Sequence, residues 1–167
     1  DNIAAFNCAY TSISSKRVFS EILYILMNGT GIGFSNERKK IDKLPTIPNC
    51  LTRSEDVIVV ADSKLGWAVA FRKLMSSLWE GDIPNVDYSK IRPAGARLKT
   101  FGGRASGAEP LKNLFTFVTE TFKKAQGRKL NSLEVHDIVC MIGDIVVVGG
   151  VRRSALIGLS NLTDHRM

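Results

Sequence analysis

Short apolar runs alternate along this chain with longer stretches of helical periodicity, and this alternation limits the possible folds most strongly. Apolar, β-branched or aromatic residues concentrate in the runs at 3–11, 32–35, 57–61 and 155–160. Parallel strands need a long connection, commonly a helix, to return the chain to the edge where the next strand starts. The sequence therefore predicts an α/β fold with several parallel strands.

Four helices are expected between these strands, over residues 16–28, 66–80, about 109–124 and 133–148. The second has Trp67, Phe71, Leu74 and Leu78 at i, i+4, i+7 and i+11 and ends before Gly81. Serine side chains are the expected N-caps: Ser14 or Ser15 for the first helix and Ser132 for the last. The β-branched run at 145–148 could instead be a strand. Residues 36–55 have little periodicity and are interpreted as a surface connection.

The length of 167 residues and a hydrophobic content of 44% predict one folded domain with a real core. The net charge of +7 favours an anionic partner, and nucleic acid, nucleotide phosphate and an acidic protein surface all satisfy it. No apolar run is long enough to cross a bilayer and no signal peptide is evident, so a soluble cytoplasmic protein is the default expectation. Because the chain starts at Asp1, we expect an internal piece of something larger.

Three widely spaced cysteines, Cys8, Cys50 and Cys140, form no CxxC pair, so neither a disulfide framework nor a zinc site is indicated. We expect Cys50 to be an incidental free thiol and Cys140 to be packed inside its helix. The two histidines lack metal-ligand spacing. Judged by its apolar surroundings alone, Cys8 is most simply a buried structural residue.

Residues 87–110 concentrate glycines, cations and hydroxyls, with five cations between Lys90 and Arg104. Glycine admits positive φ and close approach of a ligand, so such a loop can turn several N–H groups towards an anion. A phosphate or nucleotide loop is one interpretation, and a solvated basic loop is the other. Asp62, at the end of a predicted strand, is similarly open to two interpretations: a ligand contact or the cap of the next helix.

Six sequence blocks occur in an order that resembles the monomeric, adenosylcobalamin-dependent ribonucleoside-triphosphate reductases. They are residues 7–11, 28–35, 62–67, 91–97, 100–107 and 149–155, so the resemblance covers almost the whole chain. It implies that residues 1–167 form a single partial domain, the N-terminal half of a ten-stranded α/β barrel. It also implies an effector-site region over about residues 36–90.

The resemblance implies that the ribose 2′-hydroxyl of a ribonucleotide is replaced by hydrogen through a thiyl radical, while two cysteines are oxidised to a disulfide. Cys8 matches the first of these cysteines, on a strand expected to be buried, with its disulfide partner outside this chain. The implied substrate contacts are Asn7, Arg104, Ala105 and Ser106. The implied cofactor is adenosylcobalamin, with most of its site elsewhere. The implied partners are a ribonucleoside triphosphate, a thioredoxin-type reductant and the remaining reductase chain, with neither nucleic acid nor membrane.

The same resemblance makes residues 99–107 a specificity loop between the substrate base and an allosteric deoxynucleoside triphosphate. Its implied contacts are Lys99, Thr100, Gly102, Gly103 and Gly107, and the effector-site candidates are Asp62, Ser63 and Trp67. Ala108 stands where the family pattern leads us to expect proline. The radical cysteine between Asn and Glu is not in these residues, so we expect the piece to be inactive alone.

Two other hypotheses stay open. A reductase large chain of another class would share the barrel and the reducing cysteine, although the pattern at 97–107 favours the cobalamin branch. A basic, non-enzymatic domain could instead bind nucleic acid. Aromatic residues are only 8% of the chain and mostly fall on helical core faces, which is unlike the stacking surfaces of single-strand binders.

Overall fold

The computed structural model describes residues 2–97, 104–148 and 155–167. After a 3₁₀ turn at Asn2–Ala5, the strands are β1 (Cys8–Ser12), β2 (Gly31–Ser35), β3 (Thr52–Val59), β4 (Asp82–Asp87) and β5 (Leu156–Leu159). The helices are α1 (Val18–Met27), α2 (Arg38–Ile41), α3 (Lys64–Glu80), α4 (Glu109–Lys124) and α5 (Ser132–Val148). The predicted alternation of strands and helices is confirmed, and residues 145–148 are helical.

The described strands form two parallel sheets, which confirms the predicted parallel pairing. One sheet has the order β1-β2-β5, with Cys8 opposite Gly31 and Ile32 opposite Leu156. The other pairs β3 with β4 and has an irregular register between Arg53 and Val57. Helix α1 connects β1 to β2 and α3 connects β3 to β4, as the long return of a parallel pair requires.

The helices share one hydrophobic core in which α1 contacts α3 and α5, and α4 contacts α3 and α5. Trp79 of α3 packs within this core, 4.9 Å edge-on from the Phe122 ring and 6.1 Å from the Phe19 ring, measured between ring centroids. Its indole N–H donates to the Pro45 carbonyl at 3.1 Å, so the buried polar atom is satisfied. Burying each such large side chain stabilises the fold by roughly 1.5–3 kcal/mol.

The segment at 36–55 is more than the surface connection that its weak periodicity predicted. It contains α2 and the start of β3, and Ile41, Leu44 and Ile47 are buried to 3%, 1% and 1% exposure. The amide of Ile47 donates to the Arg128 carbonyl at 3.0 Å. Helix α2 ends at Ile41, and Leu44 and Ile47 follow it in turn and irregular backbone, so no repeat is long enough to give a periodicity signal.

Asparagine, not serine, caps the last helix. Asn131 Oδ1 accepts from the Glu134 amide at 2.9 Å, while the Glu134 carboxylate accepts from the Asn131 amide at 2.9 Å, forming a reciprocal capping box. Ser132 is instead the first residue of α5. The expected serine cap of α1 is also wrong, because α1 follows Arg17 without a side-chain cap.

Two strands predicted to be buried are covered on one face only. In β3, Val57 and Val59 are 58% and 45% exposed, whereas Ile58 and the following Val60 are buried. The predicted buried run at 3–11 begins as a 3₁₀ turn, and Cys8 lies exposed at the start of β1. Side chains alternate between the faces of a strand, and the helices of this chain cover one face of each.

Asp164 is a buried carboxylate beside the N-terminus of α5. It accepts from Ser132 Oγ at 2.5 Å and from the Arg166 amide at 3.3 Å, and Arg38 Nε lies 3.4 Å from it. The Ser132 hydroxyl, helped by Arg166 and Arg38, holds the pKa of Asp164 below its usual range despite desolvation. The ionised form is therefore favoured by folding.

The pH dependence follows from this direction. Because the folded pKa is lowered, the contribution of Asp164 to stability is fully present above the unfolded pKa of about 3.9 and is lost as pH falls through the folded value. We expect Asp164→Asn to lower the urea midpoint at pH 6 and to flatten its decline in acid. Asp144→Asn, which removes an exposed carboxylate of α5, is the control. Parallel acid profiles for wild type and Asp164→Asn would contradict this expectation.

Candidate functional site

One face of the β1-β2-β5 sheet is open and carries Cys8. The register places Cys8 opposite Gly31 and Tyr10 opposite Gly33, and Gly33 is in turn opposite Ile157. Tyr10 and Ile157 are 63% and 64% exposed on this face. The intervening residues Ile32 and Phe34 are buried on the other face, against the helices. Cys8 thus lies on a partly apolar, accessible surface.

The two glycines of β2 lower the surface beside Cys8. A Cβ at Gly31 would lie 3.2 Å from Ala155 Cβ, and one at Gly33 would lie 3.4 Å from Ile157 Cγ2. Glycine within a strand often marks a place where a ligand or another backbone approaches closely. The strip formed by Gly31 and Gly33 therefore admits the close approach of Ala155 and Ile157 beside the strand that carries Cys8.

Backbone hydrogen bonds fix the start of β1, so that Cys8 is positioned without being buried. The Gly31 amide donates to the Asn7 carbonyl at 3.0 Å. The hydroxyl of buried Thr30 lies 3.0 and 2.8 Å from the carbonyl oxygens of Ile3 and Phe6. The expectation that burial of the strand holds Cys8 rigid is therefore wrong in this chain, and the hydrogen-bonded turn before β1 supplies the positioning.

The predicted specificity loop is described only at its root. Lys99, Thr100, Gly102 and Gly103 lie outside the described residues. The root is a short antiparallel ladder: the Gly95 amide donates to the Ala105 carbonyl and the Ala105 amide to the Ala96 carbonyl, both at 2.8 Å, and Arg97 bridges to Arg104. Arg104 is exposed, and Ala105 and Ser106 are half-buried. The ladder joins the two ends of the 98–103 segment.

Gly107 fixes the chain that leaves this ladder. Its φ is +73°, and an added Cβ would lie 3.1 Å from the Ala94 amide nitrogen and 3.3 Å from Ala94 Cβ. Positive φ and close packing both favour glycine here. Helix α4 begins two residues later, at Glu109, with Pro110 buried in its first turn. The loop root is thus packed against itself before the chain enters the core.

Each of the three residues predicted to contact the effector has a role within the fold. Ser63 caps α3, since its Oγ accepts from the Gly66 amide at 2.9 Å. Trp67 is 8% exposed and belongs to the core. Asp62 Oδ2 lies 2.6 Å from Arg92 Nε, so the capping interpretation of Asp62 is wrong and an ion pair replaces it. Sequence reasoning missed Arg92 as its partner, because thirty residues separate the two and no local pattern joins them.

Cys140 is exposed on α5, which corrects the expectation that it is packed inside the helix. Its Sγ lies 3.5 Å from His136 Nε2. Partial burial and the Asp137 carboxylate raise the pKa of the Cys140 thiol, so the reactive thiolate is disfavoured. Cys50 is exposed as well. Among the described residues no group of three His, Cys, Asp or Glu side chains could hold a metal ion.

Comparison with known proteins identifies the family. Residues 49–122 match the family model described as "B12-dependent ribonucleotide reductase, insertion domain". The adenosylcobalamin-dependent ribonucleoside-triphosphate reductase of Euglena gracilis is 32% identical over 156 residues, covering 89% of this chain and 21% of that protein. The corresponding enzyme of Lactobacillus leichmannii is 30% identical over 182 residues, covering 88% and 25%.

The chain belongs to the B12-dependent ribonucleotide reductase family. A putative reductase of Mycobacterium phage D29 is 36% identical over 126 residues, covering 67% of this chain and 18% of that protein. The fold resembles a crystal structure of a B12-dependent (class II) ribonucleotide reductase with a TM-score of 0.80 and 23% identity, over 95% of this chain and 29% of that one. The α/β prediction is thereby confirmed. The chain spans about a fifth to a quarter of the relatives it matches.

The match to the reductase insertion domain divides the candidate residues into two groups. It begins just before β3 and ends within α4, and so includes the Asp62–Arg92 ion pair and the loop root. Cys8 and the strip of β2 glycines lie before it.

None of the described helices is long and apolar enough to cross a membrane.

Proposed function

We propose that this chain is part of an adenosylcobalamin-dependent ribonucleoside-triphosphate reductase and supplies one of its two reducing cysteines, Cys8. The supporting observation is the accessible position of Cys8 beside Gly31, on the open face of a parallel sheet. A reductant must reach the 2′ carbon of the sugar, and a side chain on an open sheet face beside a glycine strip can do so.

In the proposed reaction the ribose C2′–OH bond breaks and a C2′–H bond forms. Two thiols each lose one proton and one electron and become a disulfide, and the hydroxyl leaves as water. Disulfide formation needs Cβ atoms about 3.5–4.5 Å apart. Cys140 lies one helical turn after His136. The His136 ring lies near Gly158, on the face of the sheet opposite to that of Cys8. The partner thiol is therefore proposed to come from another part of the protein, and a thioredoxin-type protein to reduce the disulfide by thiol exchange.

The substrate is proposed to contact Asn7, next to Cys8, and Arg104, Ala105 and Ser106 at the loop root. Arg104 is an exposed guanidinium that suits an anionic phosphate or the acceptor edge of a base. Lys99, Thr100, Gly102, Gly103 and Gly107 remain the proposed specificity loop. A deoxynucleoside triphosphate effector is proposed to bind in the 36–90 region, near the turn of Asp62 and Ser63 and the underlying Trp67.

The described residues do not fit adenosylcobalamin. Two concavities on their surface have volumes of about 430 and 210 Å³. Pockets for drug-sized ligands reach about 1,000 Å³, and this cofactor is larger than such ligands. The larger concavity is lined by charged side chains, including Arg38, Arg128 and Arg166, rather than by an extensive apolar surface. The proposed cofactor site therefore lies mainly on other parts of the protein.

The test is an assay of the complete protein that contains this chain, supplied with ribonucleoside triphosphates and a dithiol. We expect deoxyribonucleoside triphosphates to form only when adenosylcobalamin is present, and the preferred base to change when a deoxynucleoside triphosphate is added. Equal activity without adenosylcobalamin would contradict the cofactor assignment. Absence of deoxynucleotide product with the cofactor, dithiol and each effector would contradict the proposed function.

A further inference from the structure

Thr30 is a buried polar residue on a fixed support between α1 and β2, and it is only 1% exposed. Before it, the Gly29 amide donates to the Leu26 carbonyl at 2.9 Å, at the end of α1. After it, the Ile32 amide donates to the Ala155 carbonyl at 2.8 Å, where β2 enters the sheet. The backbone on both sides of Thr30 is therefore held by hydrogen bonds.

Two consecutive residues of this segment hold two consecutive carbonyls just before β1. The Thr30 hydroxyl donates to the Phe6 carbonyl at 2.8 Å, and the Gly31 amide donates to the Asn7 carbonyl at 3.0 Å. The same hydroxyl lies 3.0 Å from the Ile3 carbonyl, within the 3₁₀ turn, so its single proton is shared between two acceptors. One side chain thus fastens the turn before β1 at two points.

Burial contributes little to the order of this turn, because Phe6 is 66% exposed and Cys8 is also exposed. Hydrogen bonds must therefore hold the turn, and the Thr30 hydroxyl supplies two of them. A hydrogen bond whose donor is shielded from water is costly to leave unmade. Loss of this hydroxyl would loosen the backbone that leads into Cys8.

We propose that Thr30 is a positioning residue for the Cys8 thiol: its hydroxyl fixes the backbone that carries Cys8 and thereby favours disulfide formation with the partner thiol. This inference rests on the proposed function of Cys8 as a reducing cysteine. A disulfide requires a narrow range of Cβ separation and dihedral angle. A thiol on a fixed backbone loses less conformational freedom on entering this geometry than one on a loose turn. Thr30 acts through the backbone of residues 3–7, not by contact with the thiol.

The test uses the complete protein with Thr30→Val, which removes the hydroxyl and keeps the shape, and with Thr30→Ser, which keeps the hydroxyl. Thr121→Val is the matched control, because it removes a hydroxyl that donates to the Phe117 carbonyl at 2.9 Å within α4. The protein is equilibrated with reduced and oxidised dithiothreitol, so that protein thiols are oxidised as the dithiothreitol disulfide is reduced. Mass spectrometry after alkylation of free thiols measures the fraction of Cys8 in a disulfide.

We expect Thr30→Val to lower the equilibrium constant for disulfide formation at Cys8 about tenfold, which corresponds to the freedom of about one backbone residue. Its kcat with a dithiol reductant should fall by a similar factor, because the same geometry is needed in turnover. Thr30→Ser and Thr121→Val should match wild type in both measurements.

A second readout does not depend on activity or on the partner thiol. The Phe6 and Gly31 amides form backbone hydrogen bonds in and beside the turn. Their hydrogen exchange should accelerate in Thr30→Val and stay at the wild-type rate in Thr30→Ser and Thr121→Val. Unchanged exchange in Thr30→Val would show that the hydroxyl does not order the turn and would overturn the proposal.

Three other outcomes also overturn the positioning role. They are an unchanged Cys8 equilibrium in Thr30→Val, equal effects of Thr30→Val and Thr30→Ser, and an effect of Thr121→Val as large as that of Thr30→Val. If Thr30→Val does not fold, Thr30→Ser and Thr30→Ala differ by the hydroxyl alone and provide the same comparison.

Failure of the proposed function is distinguishable from failure of this inference. Wild-type Cys8 that forms no disulfide in the complete protein overturns its role as a reducing cysteine before any variant is made. The exchange rates then still show whether the Thr30 hydroxyl orders the turn. A wild-type protein that forms the disulfide, with Thr30→Val at the wild-type equilibrium, overturns the positioning inference and leaves the proposed function intact.

Discussion

Replacing Cys8 by serine is expected to reduce deoxynucleotide formation by the complete protein to background. A hydroxyl is almost isosteric with a thiol, but it can neither form the disulfide nor supply an electron at a biological potential. Because Cys8 is exposed at the start of β1, the substitution removes no core packing. We therefore expect unfolding free energies within about 0.5 kcal/mol of wild type, as is usual for surface substitutions. The measurement is product formation with a dithiol reductant.

The matched controls are Cys50→Ser and Cys140→Ser, which make the same atomic change at other exposed positions. Cys50 precedes β3 and Cys140 lies on α5, away from the open face. Both variants should retain wild-type turnover. If Cys8→Ser also retained it, the assignment of Cys8 as a reducing cysteine would be wrong.

Replacing Gly66 by alanine is expected to destabilise the protein by about 3 kcal/mol or more, the upper range for forced overpacking. An added Cβ would overlap the Ala61 carbonyl oxygen and would lie 2.8 Å from Ala61 Cβ and 2.9 Å from the Ala61 carbonyl carbon. No side-chain rotation removes these contacts, so the turn itself must shift. This shift would weaken the Ser63 cap. Its free-energy cost exceeds the gain of roughly 1 kcal/mol that alanine brings to a helix.

Urea denaturation measures this effect, with Gly29→Ala as the control. Gly29 has φ of +86° but no atom within 4 Å of an added Cβ, so its substitution isolates the backbone strain. That strain costs about 1–2 kcal/mol. We expect Gly66→Ala to be the more destabilising variant. Equal destabilisation by the two substitutions would show that the turn after β3 adapts without cost.

Helices α3 and α4 could be predicted from the sequence to within a few residues, because their signals are local. Trp67, Phe71, Leu74 and Leu78 repeat at helical spacing, and Gly81 ends α3 with φ of +100°. Pro110 likewise marks the first turn of α4. The cap of α5 was harder to predict, since Asn131 and Ser132 are adjacent and either can cap. Only the reciprocal bonds of Asn131 with Glu134 distinguish them.

The sequence by itself determined the parallel α/β architecture and placed Cys8 within a block that resembles a family motif, since periodicity and short motifs are properties of neighbouring residues. Only the tertiary structure decided that Cys8 is exposed and that Asp62 pairs with Arg92 across thirty residues. Burial depends on which helices cover a sheet face, and an ion pair depends on where distant turns meet. The local sequence does not specify either of these relationships.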